Sequence, residues 1–218
     1  MLQSSFNTKL TIFQKLKNFD YILLTCILML GIISTFSMYS TDGGEFLFHT
    51  KSHATKFLIF FAMMIVLSFF DIKFWHNFSY FFYIIVLALL IWASLYGIKA
   101  SGSQRWINLY FINLQPSELM KIAIIACLAK YYHRVGLESV NSIQSILVVL
   151  IILIIPIMLV ISQPDLGTSI LIALSGLAVL WLAGLNIRYF IYSFITLLIT
   201  MPFVISFLKP YQKLRILT

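Results

Sequence analysis

The amino-acid sequence predicts an all-α polytopic integral membrane protein with about seven transmembrane helices. Of its 218 residues, 61% are hydrophobic and only 10% are charged, and the mean hydropathy is +0.99. Soluble domains are much more polar than this. A spanning helix needs roughly 20 mostly apolar residues. The chain offers seven such segments, which we assign to a single transmembrane domain over residues 1–218: residues 21–39, 54–71, 77–98, 117–133, 144–162, 167–185 and 188–208.

The first apolar segment is predicted to be an uncleaved anchor helix. It is longer than the apolar core of a typical signal peptide, and no clear small-x-small cleavage site follows it. Lys9, Lys15 and Lys17 precede this segment, and basic residues ahead of the first helix favour a cytoplasmic N-terminus. His49 and His53 fall in the polar stretch 40–56, which we predict to be a loop with no third ligand, so a metal site is not expected there.

The fourth segment is the least apolar, but both of its ends favour a helix. Pro116 and Glu118 suit a first helical turn, where proline and acidic residues are common. Lys130, His133 and Arg134 suit the last turn, where basic residues interact favourably with the helix dipole. We therefore predict a spanning helix here.

The fourth and sixth segments begin with similar sequences. Gln115-Pro116-Ser117-Glu118 opens the fourth segment, and Gln163-Pro164-Asp165 opens the sixth. If the two helices pack together, their N-termini lie side by side, and helix N-termini favour anions such as phosphate. Alternatively, the shared pattern is only a good helix start. Ser169, Ala173 and Gly176 place small residues along one side of the sixth helix, which permits close helix packing.

Ionisable residues at membrane depth are costly and therefore mark a candidate site. Glu118 and Lys121 lie three residues apart on one helix face, where we expect an ion pair that either braces the bundle interior or serves substrate contact or proton relay. Asp165 is either a helix-start acid or a third member of this group. Arg105, beside Trp106, is either an anchor at the membrane interface or a phosphate ligand through its planar guanidinium.

The composition and the missing motifs argue against several other classes of protein. The net charge of +8 lies on short loops rather than in long basic runs, which suits anionic lipid headgroups or phosphorylated lipids better than nucleic acid. Cys26 and Cys127 lie in apolar segments and are expected to be packing residues. The sequence has no Walker loop and no G-x-S-x-G, so it gives no support to ATP-driven transport or serine hydrolase chemistry.

Four motifs in order along the chain resemble the SEDS (shape, elongation, division) family. The last of them has the form Tyr-Gln-x-x-Arg-Ile, which is more similar to the elongation branch of the family than to its division branch. The resemblance covers essentially the whole chain. The motifs are Gly102-Ser-Gln-Arg105-Trp106-Ile107, Gln115-Pro116-Ser117-Glu118-Leu119-Met120-Lys121, Gln163-Pro164-Asp165-Leu166-Gly167-Thr168 and Leu208-Lys209-Pro210-Tyr211-Gln212-Lys213-Leu214-Arg215-Ile216-Leu217.

The resemblance implies a peptidoglycan glycosyltransferase of the bacterial cytoplasmic membrane. Such an enzyme polymerises lipid II, an undecaprenyl-diphosphate-linked precursor, at the outer membrane face in complex with a class B penicillin-binding protein. No cofactor is expected in this chain, although a divalent cation could assist the full-length enzyme. Membrane lipids are the other expected partner. The residues expected to bind substrate or shape its cavity are Arg105, Trp106, Gln115, Ser117, Glu118, Lys121, Asp165, Lys209 and Arg215.

Two alternatives and two departures accompany this resemblance. One alternative is a flippase or transporter of lipid-linked precursors, which would use the intramembrane Glu118, Lys121 and Asp165 as its translocation path. The other is a non-catalytic membrane partner of a penicillin-binding protein, which would need no catalytic residues. Tyr110 stands where the family often has glycine. The family fold has about ten helices, and its catalytic carboxylate would fall beyond Thr218. We therefore expect a C-terminally truncated form that does not polymerise lipid II alone.

Overall fold

The computed structural model describes residues 12–100, 103–109 and 113–207. Within these ranges the chain forms eight α-helices and three short β-strands. A 3-10 turn at Leu137–Ser139 follows the fifth helix. The helices are α1 (Ile12–Lys17), α2 (Tyr21–Thr41), α3 (Phe48–Ser68), α4 (Ile72–Tyr96), α5 (Pro116–Val135), α6 (Ile143–Ser162), α7 (Leu166–Leu182) and α8 (Ile187–Phe207), and the strands are β1 (Ile98–Ala100), β2 (Ser103–Asn108) and β3 (Asn113–Leu114).

Each of the seven predicted segments corresponds to one of the helices α2 to α8. Among the described residues, α2, α3, α4 and α6 are long and apolar enough to cross a membrane. Helix α7 is equally apolar but has only 17 residues, and α5 carries charged residues at both ends. The all-α, polytopic membrane class predicted from composition and hydropathy is therefore confirmed.

The second spanning helix begins earlier than predicted, and this corrects the placement of two histidines. Helix α3 starts at Phe48, so His49 and His53 lie in the helix rather than in a loop. The reason is a long-range cap: Oδ2 of Asp42 accepts hydrogen bonds from the backbone N–H and the hydroxyl of Thr50, at 2.9 and 2.6 Å. The hydroxyl and backbone N–H of Thr50 lower the pKa of Asp42, as expected for a carboxylate that caps a helix.

The first of two compact units spans residues 1–74 and contains α1, α2, α3 and the first turn of α4. Helices α2 and α3 pack against each other, and Gly31 lies against the ring of Phe57, where even a Cβ atom would be 2.1 Å from Cζ. Lys15 of α1 donates to the carbonyl of Phe69 and pairs with Asp71, both at 2.6 Å. These contacts tie the short α1 to the end of α3.

The second unit, residues 75–218, contains the buried core. Helix α5 packs on α7 and α6, and α6 packs on α7. Gly176 of α7 allows this approach, since a Cβ atom there would lie 2.2 Å from Cδ2 of Leu153 on α6. The predicted close contact through a small residue is therefore confirmed at Gly176. The fully buried side chains include Val86, Leu90, Met120, Ile124, Leu128, Val149, Val160 and Ile172.

The polar stretch between α4 and α5 contains a small antiparallel sheet that sequence analysis did not identify. Strand β2 pairs with β1 on one side and with β3 on the other, and it also contacts α5. Residues Ser103 to Asn108 have no strict alternation of apolar and polar side chains, which is the usual signal of a strand. The sheet matters because it fixes the position of Arg105 over the helix bundle.

Candidate functional site

The candidate site lies where the N-terminal ends of α5 and α7 meet strand β2. Nη1 of Arg105, on β2, lies 2.8 Å from Oδ2 of Asp165, the residue that precedes α7. The side chain of Asp165 is only 10% exposed and that of Arg105 is 27% exposed. The two residues thus form a largely desolvated ion pair, in which the loss of either partner would leave the other charge poorly solvated.

Gln115 joins the starts of the two helices directly. Its Nε2 donates to Oδ2 of Asp165 at 3.1 Å and to Oγ of the buried Ser117 at 3.0 Å. Since Gln115 precedes α5 and Asp165 precedes α7, the two Gln-Pro sequences are in contact. The expectation that packing would place these N-termini side by side is confirmed.

Asp165 is the residue on which these contacts converge. Its side chain also accepts a hydrogen bond from the backbone N–H of Thr168, at 3.3 Å, which caps α7. Burial alone would raise the pKa of Asp165, but the hydrogen bonds from Thr168 and the Arg105 guanidinium outweigh burial and hold the pKa below its ordinary value. A carboxylate held in its charged form by three donors is a structural anchor and a poor proton acceptor.

A buried glutamine, two residues before Asp165, joins the end of α6 to α4. Gln163 is buried at the end of α6, and its Nε2 donates to the backbone carbonyl of Leu90 at 3.1 Å. In the sequence, Gln163 is recognisable only as part of a helix-start pattern, which predicts no role for its side chain. Its signal in the sequence was the polar amide directly after a long apolar run, a position that is costly unless the amide has a buried partner.

Glu118 and Lys121 form a second, separate ion pair one turn into α5. Oε2 of Glu118 lies 2.8 Å from Nζ of Lys121, as expected from their spacing. The side chain of Glu118 is 54% exposed, whereas that of Lys121 is 24% exposed. The structure therefore distributes the charged residues of the candidate site over two pairs, with Asp165 bound to Arg105 and Glu118 bound to Lys121.

Of the remaining residues singled out in the sequence, the structure describes some and not others. Trp106 is half-buried on β2, where it pairs with Ile98 of β1. Nε of Arg105 is buried without a hydrogen-bond partner among the described residues, so this guanidinium has a donor to spare. Lys209, Arg215 and Tyr110 lie outside the described residues. Nowhere in the described ranges do three or more His, Cys, Asp or Glu side chains cluster as metal ligands.

Glu118→Gln is expected to change stability very little. A pair spaced i, i+3 on an exposed helix face contributes about 0.2–0.5 kcal/mol, and Glu118 is more than half exposed. Thermal unfolding of the purified protein in detergent should therefore give a melting temperature within about 2 °C of the native chain. A decrease of 5 °C or more would contradict the separation of this pair from the Arg105–Asp165 network.

Comparisons with known proteins agree on one family. The family model for cell-cycle proteins of the FtsW, RodA and SpoVE type matches residues 15–218. A probable peptidoglycan glycosyltransferase FtsW from Buchnera aphidicola subsp. Baizongia pistaciae is 31% identical, over 97% of this chain and 56% of the relative. The peptidoglycan glycosyltransferase MrdB from Escherichia coli K12 is 30% identical, over 91% and 53%. The chain thus spans about half the length of these relatives.

Solved structures show a similar fold. A structure described as a peptidoglycan synthase complex contains a chain with a TM-score of 0.77 at 21% identity, with 92% of this chain and 58% of that chain covered. The rod shape determining protein RodA from Thermus thermophilus gives a TM-score of 0.70 at 20% identity, with 84% and 59% covered. At these identities the likeness concerns the arrangement of helices.

Proposed function

Because this chain belongs to the SEDS family of FtsW, RodA and SpoVE proteins, we propose that it acts in peptidoglycan glycosyl transfer by holding lipid II during polymerisation. The matched relatives are named peptidoglycan glycosyltransferases, which supports the reaction class. The form of the last motif, from Tyr211 to Ile216, favours a role in cell elongation. The acceptor and donor are then lipid-linked disaccharides whose shared polar feature is a diphosphate.

The observation that carries this proposal is that two helix N-termini meet at one end of the bundle, and that two cations, in separate ion pairs, lie at the same end. Helices α5 and α7 begin beside each other, joined by Gln115 and Asp165. Free backbone N–H groups and the dipole at such ends favour phosphate. Arg105 retains an unpartnered Nε, and the ammonium of Lys121 has donors beyond its bond to Glu118. A diphosphate needs this combination of charge and hydrogen-bond donors.

The acidic residues of the site support a positioning role rather than proton abstraction. Glycosyl transfer needs a general base for the acceptor hydroxyl. Asp165 has a lowered pKa and donors on both carboxylate oxygens, which weakens it as a base, and Glu118 is bound to Lys121. We therefore assign the general base to a group other than Asp165 and Glu118, and assign these two residues to holding and positioning the substrate.

The same proposal includes an orientation and a partner. With a cytoplasmic N-terminus, the connection between α4 and α5 and the start of α7 face the outside of the cytoplasmic membrane, where lipid II is consumed. The similarity in fold to a chain from a peptidoglycan synthase complex supports a class B penicillin-binding protein as the partner. A divalent cation would assist departure of the diphosphate in this reaction.

Lys121→Ala is expected to weaken binding of lipid II by about 10- to 100-fold, the cost of losing a charged hydrogen bond to an anion. Binding of fluorescent lipid II to the purified chain in detergent micelles, at fixed salt, measures this loss. Lys51→Ala is the matched control, because it removes an exposed lysine near the start of α3, outside the site, and should leave binding unchanged.

Equal binding by the native chain, Lys121→Ala and Lys51→Ala would contradict the proposal. Movement of fluorescent lipid II between the leaflets of proteoliposomes that contain the chain would instead favour a transporter, since a polymerase needs no translocation. Formation of glycan strands from lipid II that is blocked by Glu118→Ala would show that Glu118 acts as the base, and would contradict its assignment to positioning.

A further inference from the structure

Lys130 is a buried cation at the end of α5 that lies away from the candidate site. Its residue is only 5% exposed. Nζ donates to the backbone carbonyl of Asn77 on α4 at 2.8 Å and lies 4.6 Å from the ring centroid of Tyr80. Within the described part of the chain no carboxylate lies within ion-pair distance of Lys130. Among the described side-chain and backbone groups, the carbonyl of Asn77 and the ring of Tyr80 contact its ammonium.

Arg134 adds a second cation to the same aromatic ring. It lies one turn after Lys130, is exposed, and has Cζ 5.5 Å from the ring centroid of Tyr80. Like Lys130, it has no ion-pair partner among the residues that the structure describes. Two like charges at i and i+4 repel each other. The negative end of the α5 dipole and the Tyr80 ring compensate only part of this repulsion.

One of two histidines near these cations in the sequence has a ring nitrogen without a hydrogen-bond partner among the described residues. The rings of His76 and His133 meet edge-on with centroids 5.1 Å apart. Nε2 of His76 is buried with no hydrogen-bond partner in the described structure. His76 directly precedes Asn77, and His133 directly precedes Arg134, so both histidines neighbour residues of the cation cluster along the chain. The cluster therefore combines uncompensated positive charge with an unpartnered ring nitrogen.

We propose that Lys130, Arg134 and the Tyr80 ring form a binding site for the phosphodiester headgroup of an anionic membrane phospholipid. The cluster lies at the boundary of two membrane helices, the first turns of α4 and the last turns of α5. Tyr131 and Tyr132 directly follow Lys130, and tyrosines are typical of the membrane interface. One turn deeper on the Tyr80 side of α4, the exposed Ile84 offers an apolar contact for an acyl chain.

A bound lipid phosphate would supply the negative charge that none of the described residues places here. It would also link α4 to α5, because Tyr80 belongs to α4 whereas Lys130 and Arg134 belong to α5. The site lies in the membrane leaflet opposite to the candidate lipid II site, since the two occupy opposite ends of α5. Loss of one site can therefore be measured without loss of the other.

The test is retention of phosphatidylglycerol by the 218-residue chain, measured by native mass spectrometry after extraction from nanodiscs of phosphatidylglycerol and phosphatidylcholine. Arg134→Gln is expected to weaken retention of phosphatidylglycerol about fivefold, the effect of one basic residue at a membrane surface. Arg188→Gln is the matched control: Arg188 is an exposed arginine in the first turn of α8, on the same membrane side, and its loss should leave retention unchanged.

A second pair of variants addresses the buried cation. Lys130→Arg should keep the retained lipid, whereas Lys130→Gln should lose it. Equal retention of phosphatidylglycerol by Arg134→Gln and Arg188→Gln would overturn the proposal. It would show that Arg134 binds the lipid no better than another basic residue on that surface. Displacement of phosphatidylglycerol by inorganic phosphate at constant ionic strength would also overturn it, since it would show a site for free anions rather than for a membrane lipid.

Discussion

Asp165→Asn is expected to lower the free energy of unfolding by about 2 kcal/mol. The substitution keeps an oxygen that can cap α7 through Thr168 but removes the charge that pairs with Arg105 at 2.8 Å. Breaking a fully buried pair costs about 3–5 kcal/mol, and partial exposure of Arg105 reduces that cost. Thermal unfolding in detergent should show a decrease of about 4–8 °C in the melting temperature.

The difference in stability between the native chain and Asp165→Asn should depend on pH, because the pKa of Asp165 is lowered in the folded state. Its folded pKa lies below the ordinary value of 3.8, so the folded state favours the charged carboxylate. Its contribution to stability is therefore present in full above the unfolded pKa and is lost as the pH falls through the folded pKa. The gap in melting temperature between the native chain and Asp165→Asn should be constant above about pH 5 and should narrow below about pH 4.

Two further variants separate the roles of Asp165. Asp165→Ala should cost about 1 kcal/mol more than Asp165→Asn, because it also removes the cap of α7. Glu118→Gln provides the control, since it removes a carboxylate from the same end of the bundle without affecting the buried network. Equal melting temperatures for Asp165→Asn and Glu118→Gln would refute the view that the Arg105–Asp165 pair holds β2 on the two helix starts.

Gly176→Leu is expected to lower the free energy of unfolding by about 3 kcal/mol or more, at least as much as Asp165→Asn does. Even a Cβ atom at this position would approach Cδ2 of Leu153 to 2.2 Å, with Cδ1 and Cγ both at 3.2 Å. A leucine side chain would force α7 away from α6. Because α7 also packs on α5 and begins at Asp165, the displacement should extend to the candidate site and weaken lipid II binding as well.

Gly176→Ala should be much milder than Gly176→Leu. Leu153 borders a cavity of about 620 Å³ between α6, α7 and α8, so its flexible end can move aside for a single methyl group. Ala178→Leu is the matched control, because it adds bulk at an exposed position on the same helix. If Ala178→Leu lowered the melting temperature as much as Gly176→Leu does, the close contact between α6 and α7 would not be the cause.

Much of this protein can be predicted from local patterns in its sequence. Apolar runs of spanning length mark the helices, because lipid leaves a chain of this composition few structures other than helices that satisfy the backbone. Proline and acidic residues mark the start of α5, and the spacing of Glu118 and Lys121 predicts their ion pair. Each of these signals depends on neighbours within a few residues or on the bilayer itself.

The charge partners between distant segments were decided by tertiary structure alone. The sequence left Asp165 as either a helix-start acid or a third member of the group with Glu118 and Lys121. The fold makes it a helix cap that pairs with Arg105, on a strand whose sequence lacks apolar alternation. Likewise, the start of α3 depends on Asp42, which caps it through Thr50 from the preceding connection. Similarly, Lys130 contacts Asn77 and Tyr80, which belong to a different helix, α4.

The sequence by itself therefore determined the membrane class, the number and order of the long helices, and the family. Only the tertiary structure decided which charges meet, where the second spanning helix begins, and which cations are left without a carboxylate. The physical reason is the separation along the chain over which each interaction acts. Hydropathy and helix-start preferences act within one segment, whereas an ion pair such as Arg105–Asp165 exists only once packing has brought separate segments within 3 Å of each other.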